Sequence, residues 1–178
     1  MQNPLYFAYG SNLLESRLKQ RVGIVKKFGI ITLRNYELTF GVPGPFGSFA
    51  NIKEKEGSNV QGVLYSLTQY QQRELDGYEG WPRQYKKFYF TTADNLICYA
   101  YIYEGTEQQL PPPLSYINII IKGARENKLK ETVKFLTEYK KLNLISKPCR
   151  RKSQMDLSRK LEELLLREES KLNSRTKV

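Results

Sequence analysis

The sequence predicts an α+β domain built on a mixed β-sheet, and three observations lead there. Segments rich in β-branched and aromatic residues fill most of the chain up to about residue 104. Helical segments are inserted among them and then gathered after Pro111-Pro112-Pro113, which is not the regular strand–helix alternation of a doubly wound sheet. With 178 residues and 40% hydrophobic content, the chain can bury one real core.

Leu5 to Tyr9 reads as a buried strand that breaks at Gly10-Ser11. Asn12 then looks like a helix N-cap with Glu15 at the reciprocal position, opening a short helix through about Lys19. Residues 22–33 and 36–42 read as two strands separated by Arg34-Asn35. Val42 to Ser48 is a loop by its Pro and Gly content, Phe49 to Lys53 a short strand, Gly57-Ser58-Asn59 a turn, and Val60 to Leu67 another strand. Thr68 caps a helix with Gln71 in the capping-box position, and the helix stops near Gly77. Residues 84–92 and 96–104 pair around Ala93-Asp94-Asn95. Ser115 caps a helix over 116–127, whose Ile117, Ile120, Ile121 and Ala124 share one face, and a further helix covers 130–142. A basic linker over 146–153 leads into a leucine-striped segment from 155 to about 172, so the chain divides into a domain over 1–145 and a basic amphipathic helical tail over 146–178.

Composition limits the chemistry. The chain contains no histidine, which removes Ser-His-Asp and Cys-His catalysis and leaves acid/base work to Glu, Asp, Lys, Tyr or Cys. The two cysteines, Cys98 and Cys149, are too few for a disulfide framework, and with no signal-peptide pattern they point to a reducing, cytoplasmic setting. The apolar runs are too short to span a bilayer, so no membrane association is expected. The net charge of +11 suits nucleic acid, an anionic surface or a small anionic substrate. Residues 146–178 hold 10 Lys/Arg against 5 Asp/Glu but no aromatic residue for base stacking, so nucleic acid is not the expected partner.

Two places carry most of the chemical interest. At Tyr9-Gly10-Ser11-Asn12 a strand enters a helix through a glycine turn, which presents free backbone N–H groups to an anion. The plainer alternative is a tight turn with a capped helix. At Leu75 to Trp81, Glu79 sits between Gly77 and Gly80 and between the aromatics Tyr78 and Trp81, which could enclose and desolvate an acid. The plainer alternative is a solvated turn glutamate. Tyr85 and Tyr116 are weaker candidates among 13 tyrosines, although Tyr116 opens a helix directly after a proline run.

Taken in order, these segments resemble the gamma-glutamylcyclotransferase family. Tyr6-Phe7-Ala8-Tyr9-Gly10-Ser11-Asn12-Leu13 is similar to the family's N-terminal signature. Phe49-Ala50-Asn51-Ile52 and Val60 to Tyr65 are similar to its middle strands, Leu75-Asp76 with Glu79-Gly80 to the segment bearing its catalytic glutamate, and Pro113 to Tyr116 with Gly123 to Glu126 to its later helix. The resemblance spans about residues 5–130 and stops before the tail. It implies a small mixed β-barrel with helices packed around it. It also implies a cofactor-independent, metal-free enzyme that cyclises a small gamma-glutamyl substrate to 5-oxoproline and releases an amine.

By position, Glu79 would be the acid/base of that reaction, Tyr6, Phe7, Ala8, Tyr9, Gly10, Ser11 and Asn12 the substrate cradle, and Tyr116 and Tyr85 further substrate contacts. A reaction in which the substrate's own amine attacks its own carbonyl needs no protein nucleophile, which suits a chain lacking histidine. The alternative function is a non-catalytic binding module of the same fold, with the tail directed to nucleic acid or a protein partner. The leaving group is not fixed by the sequence, and a homodimer is left open.

Overall fold

The computed structural model describes residues 3–145, so Cys149 and the expected tail over 146–178 lie outside the described residues. Five strands form one mixed sheet: β1 (Leu5–Ala8), β2 (Lys26–Gly44), β3 (Gly47–Ser66), β4 (Lys86–Thr91) and β5 (Ile97–Ile102). Their order is β2-β3-β1-β5-β4. All neighbours are antiparallel except β1 and β5, which run parallel with Leu5 opposite Cys98 and Tyr6 opposite Tyr99. Four helices accompany the sheet: α1 (Glu15–Val22), α2 (Gln69–Tyr78), α3 (Leu114–Glu126) and α4 (Lys130–Ile145).

The sheet is not closed, so the barrel implied by the resemblance is not confirmed: β2 and β4 are its two edges. It curls far enough for side chains to bridge those edges, with the Tyr36 and Phe88 ring centroids 5.3 Å apart and Phe88 stacked on Phe90.

The expected breaks at Arg34-Asn35 and Gly57-Ser58-Asn59 are not strand ends. β2 and β3 run through both as one long hairpin. Arg34 pairs with Asn59 and Tyr36 with Glu54, so the two irregular stretches face each other across a register shift. Asn35 takes φ of 60°, a left-handed conformation that asparagine tolerates, and its Oδ1 accepts from Gly57 N at 3.1 Å. A bulge and a turn call for the same residues, and cross-strand pairing decides which forms. The loop expected over 42–48 shrinks to a tight reversal between Gly44 and Gly47.

Two expected caps are also corrected. α1 starts at Glu15 with Leu14 at its N-cap and no side-chain cap, while Asn12 lies in a single 3-10 turn, Ser11–Leu13. α3 starts at Leu114 with Pro113 at its N-cap, and Ser115 Oγ is buried without a partner among the described residues. Proline at this position brings its own helix-compatible φ and gives up no donor that the helix needs. The Thr68–Gln71 capping box forms as expected.

The core runs along β1, β3, β5 and the apolar face of α3, with Phe7, Leu64, Tyr65, Tyr99, Ile117 and Ile120 nearly inaccessible. Cys98 is a free buried thiol whose pKa is pushed up to about 11 by burial. No helix among the described residues is long and apolar enough to cross a membrane.

Candidate active site

Glu79 is placed by α2, whose two ends are both fixed. At the start, Gln71 N donates to Thr68 Oγ1 at 3.2 Å and Thr68 N donates to Gln71 Oε1 at 3.0 Å. At the end, Glu79 is the C-cap and Gly80 takes φ of 64°. Gly80 N donates to Gly77 O at 3.2 Å and Trp81 N to Asp76 O at 2.9 Å, the two bonds of a Schellman motif. The stop glycine is therefore Gly80 rather than the expected Gly77, because only Gly80 carries the left-handed backbone that ends the helix.

The strand–helix turn is placed by α3. Leu13 N donates to Gly10 O at 3.0 Å and Leu14 N to Ser11 O at 3.2 Å, closing the 3-10 turn. The first amides of such a turn have no intrahelical partner. Asn127, the C-cap of α3, donates from Nδ2 to Leu13 O and to Gly123 O, both at 2.8 Å. Gly123 allows the two backbones to touch: a Cβ there would stand 2.3 Å from Leu14 N and 2.5 Å from Leu13 C.

Between these two fixtures lies a polar cluster. Arg21 Nη1 donates to Glu79 Oε1 at 3.0 Å and to Asn12 Oδ1 at 3.1 Å. Asn12 Nδ2 donates to the same Glu79 oxygen at 3.1 Å and to Tyr6 Oη at 2.9 Å. Arginine can only donate and the carboxylate of this ion pair can only accept, so together they fix which end of the Asn12 amide is which. Both ion-pair partners are largely shielded, with side chains 18% and 17% exposed. Oε1 takes every bond, while Oε2 has no partner among the described residues.

Around Glu79 the cleft is lined by Tyr6, Tyr9, Gly10, Ser11, Asn12, Ala50, Tyr85, Tyr101 and Tyr116. Its tyrosine hydroxyls fall into two kinds. Tyr9 donates to Tyr101 O, Tyr85 to Ala50 O at 3.1 Å and Tyr101 to Asp76 Oδ1 at 2.6 Å, so these three turn lone pairs to any further partner. Tyr116 instead accepts from Ala50 N at 3.1 Å and Tyr6 accepts from Asn12, so each keeps a proton to give. Burial holds all five hydroxyls protonated well beyond neutral pH, with Tyr116 raised to about 12. They are hydrogen-bonding groups, not bases.

The structure thus brings together Tyr6, Tyr9, Gly10, Ser11, Asn12, Glu79, Tyr85 and Tyr116. It does not bring Phe7 and Ala8 to the cleft. Both are wholly buried, Phe7 against Phe90 and Tyr9, with Gly62 leaving room for its ring. Tyr78 and Trp81 do not enclose the carboxylate and are 48% and 44% exposed; Asn12 and Arg21 enclose it instead. Sequence reasoning missed Arg21, Ala50 and Tyr101. Nothing local separates Arg21 from the other 28 Lys/Arg, whereas the alternation Tyr99, Tyr101, Tyr103 marks one hydroxyl-bearing strand face. A larger groove of about 320 Å³ between the β2–β3 hairpin and α4 contains none of these groups, against about 40 Å³ enclosed in the tyrosine cleft. The convergent polar groups, not the volume, mark the site. Among the described residues no three His, Cys, Asp or Glu side chains cluster as metal ligands would.

Comparison with known proteins points the same way. Residues 6–117 match the family described as gamma-glutamyl cyclotransferase, AIG2-like. The Bos taurus gamma-glutamylcyclotransferase is 32% identical over 152 residues, covering 79% of this chain and 78% of that protein. The Homo sapiens gamma-glutamylcyclotransferase is 31% identical over 136 residues, covering 70% and 72%. A solved structure described as gamma-glutamyl cyclotransferase superimposes with a TM-score of 0.67 at 30% identity, covering 75% of this chain and 85% of that one. Fold and relatives agree, and the chain belongs to the gamma-glutamyl cyclotransferase, AIG2-like family.

Proposed function

We propose that this protein is a gamma-glutamylcyclotransferase, converting a gamma-glutamyl amino acid or amide into 5-oxoproline and a free amine with Glu79 as general acid/base. The observation that carries the reading is the convergence on one cleft of a shielded carboxylate with an unoccupied oxygen, Oε2, and the Gly10-Ser11-Asn12 turn.

The chemistry follows from those groups. The substrate's α-amine arrives protonated and cannot attack. Glu79 Oε2 takes one proton from it. The freed nitrogen attacks the γ-carbonyl carbon, a C–N bond closes the five-membered ring, and the bond to the leaving nitrogen breaks. The proton held by Glu79 and the second proton lost by the ring nitrogen both end on the leaving amine, which departs as an ammonium and returns Glu79 to its starting state. Arg21 and Asn12 hold Oε1 and so aim Oε2. The protons of Tyr6 and Tyr116 and the first amides of the 3-10 turn are the donors for the substrate carboxylate and the developing oxyanion. The cleft would hold the chain folded for closure, and well-held intramolecular reactions reach effective molarities of about 10⁵–10⁸ M. The net charge of +11 favours the approach of an anionic substrate. No step calls on a cofactor.

Release of 5-oxoproline from gamma-glutamyl-alanine tests the reading, with a panel of gamma-glutamyl amines alongside to identify the leaving group. Failure of the whole panel would reject it.

A further inference from the structure

We propose that Lys87 is a positioning residue for Glu79: together with Tyr101 it grips Asp76, and so fixes against the sheet the last turn of α2, which leads into Glu79. The inference rests on the cyclotransferase reading above and adds to it what holds the acid/base in place relative to the cleft.

α2 has little apolar grip of its own. Leu75 is its single buried residue, and apolar burial is not directional, so packing alone leaves the helix free to turn about that side chain. Polar ties must fix it. Near its start, Gln71 Nε2 donates to Ile24 O at 2.6 Å. At its end, Asp76 meets two groups from the sheet. Lys87 of β4 and Tyr101 of β5 stand directly opposite each other in the strand register, so their side chains leave the same face. Both converge on Asp76. Lys87 Nζ lies 2.7 Å from Oδ1 and 2.8 Å from Oδ2, and the Tyr101 hydroxyl donates to Oδ1 at 2.6 Å. The ion-pair side chains are only 12% and 14% exposed, so salt and water screen them little. Lys87 Nζ also stands over the rings of Trp81 at 4.7 Å and Tyr99 at 5.3 Å. The one cation therefore touches the chain on both sides of Glu79, at Asp76 and at Trp81. The backbone closes the same loop: Glu79 N donates to Leu75 O and Trp81 N to Asp76 O, both at 2.9 Å. Arg21 and Asn12 hold one oxygen of the Glu79 carboxylate, and the Lys87 network holds the backbone beneath it. Tyr101 ties that network to the cleft through its main chain, because its carbonyl accepts from the Tyr9 hydroxyl.

Two ligands separate positioning from mere packing: gamma-glutamyl-alanine, and glutaryl-alanine, which is the same molecule without the α-amine, cannot cyclise and makes no use of a base. Lys87→Met keeps an unbranched stem and removes the charge. Its kcat for gamma-glutamyl-alanine is expected to fall about 10–100-fold, as for a shift of up to about 1 Å at the base. Inhibition by glutaryl-alanine should change by less than about twofold, because the turn and the tyrosines that bind it stay in place. Tyr101→Phe removes one tie to Asp76 and leaves the ion pair intact, so it should lower kcat in the same way but by less. The two changes together should cost less than the product of their separate losses, because both act on Asp76. Lys87→Met leaves a shielded Asp76 without its counter-ion; should that protein not fold, Tyr101→Phe decides with the same two ligands. Wild-type kcat in the folded variant, an equal loss in kcat and in inhibitor binding, or fully multiplicative losses in the double variant would overturn the inference while leaving the activity standing. Absence of 5-oxoproline from the wild type would overturn both.

Discussion

Gly123→Ala sets two effects of opposite sign against each other. Within a helix, alanine is preferred to glycine by up to about 1 kcal/mol, so local propensity says the change stabilises α3. The packing says the reverse. The new Cβ would stand 2.3 Å from Leu14 N, 2.5 Å from Leu13 C and 2.8 Å from Leu14 Cα, all backbone atoms that cannot rotate away. Ordinary contact needs roughly 3.4 Å or more, so α3 and the 3-10 turn must separate by about 1 Å, and overpacking of this kind costs about 1–3 kcal/mol. Packing is expected to win by about 1–2 kcal/mol. That lowers Tm by roughly 2–8 °C in a chain of this size. The same separation strains the Asn127 bond to Leu13 O and shifts Tyr116, which α3 carries, away from Ala50 N, so KM for gamma-glutamyl-alanine should rise as well. Gly77→Ala is the control: a Cβ there meets nothing within 4 Å, and it should raise Tm slightly through propensity alone. Thermal melts and steady-state kinetics on the three proteins are the assay. A Gly123→Ala protein at least as stable as wild type, with KM unchanged, would refute the view that direct backbone contact between α3 and the turn sets the cleft.

Two further outcomes are expected. Arg21→Met removes two hydrogen bonds, to Glu79 and Asn12, while keeping the apolar stem. A partner lost to a charged group costs about 1.5–3 kcal/mol, so kcat/KM should fall about 10–150-fold, with Arg21→Lys recovering only part because the lysine side chain ends one bond short of the Nη1 that makes both contacts; full activity in Arg21→Met would contradict the positioning role. Stability should also fall in alkali. Burial first, then the Glu79 charge among other causes, raises the folded-state Tyr116 to about 12, above an unfolded value near 10. Its contribution is fully present below about pH 10 and is lost as pH climbs toward 12. Urea midpoints through that window should decline less steeply in Tyr116→Phe than in wild type, and identical slopes would count against a buried protonated Tyr116.

What the sequence disclosed depended on whether a signal was local. The Thr68–Gln71 capping box was legible because both bonds lie within four residues. Asn12 was misread for an instructive reason. A short polar side chain beside a turn is a natural cap, but here its amide is drawn to Tyr6, Arg21 and Glu79, and the last two lie 9 and 67 residues away. The breaks at Arg34-Asn35 and Gly57-Asn59 were located correctly and interpreted wrongly, since the bend they permit becomes a paired bulge only once the hairpin forms. At the candidate site, the Tyr9-to-Asn12 turn, Glu79, Tyr85 and Tyr116 could be found from motif order and Tyr101 was signalled by the alternation Tyr99, Tyr101, Tyr103, whereas Arg21 could not be found, because what marks it is a contact across the fold. Phe7 and Ala8 show the limit of motif transfer: adjacency in a signature does not make a residue face the cleft, and both side chains are wholly buried in the core.

The most direct test of the central claim is 5-oxoproline release from gamma-glutamyl-alanine by wild type and Glu79→Gln at matched folding. The substitution keeps the shape of the side chain and an oxygen for Arg21 and Asn12 but cannot take a proton. The account expects release by wild type and a kcat about 10²–10⁴ lower in Glu79→Gln. Equal turnover by the two proteins would contradict it.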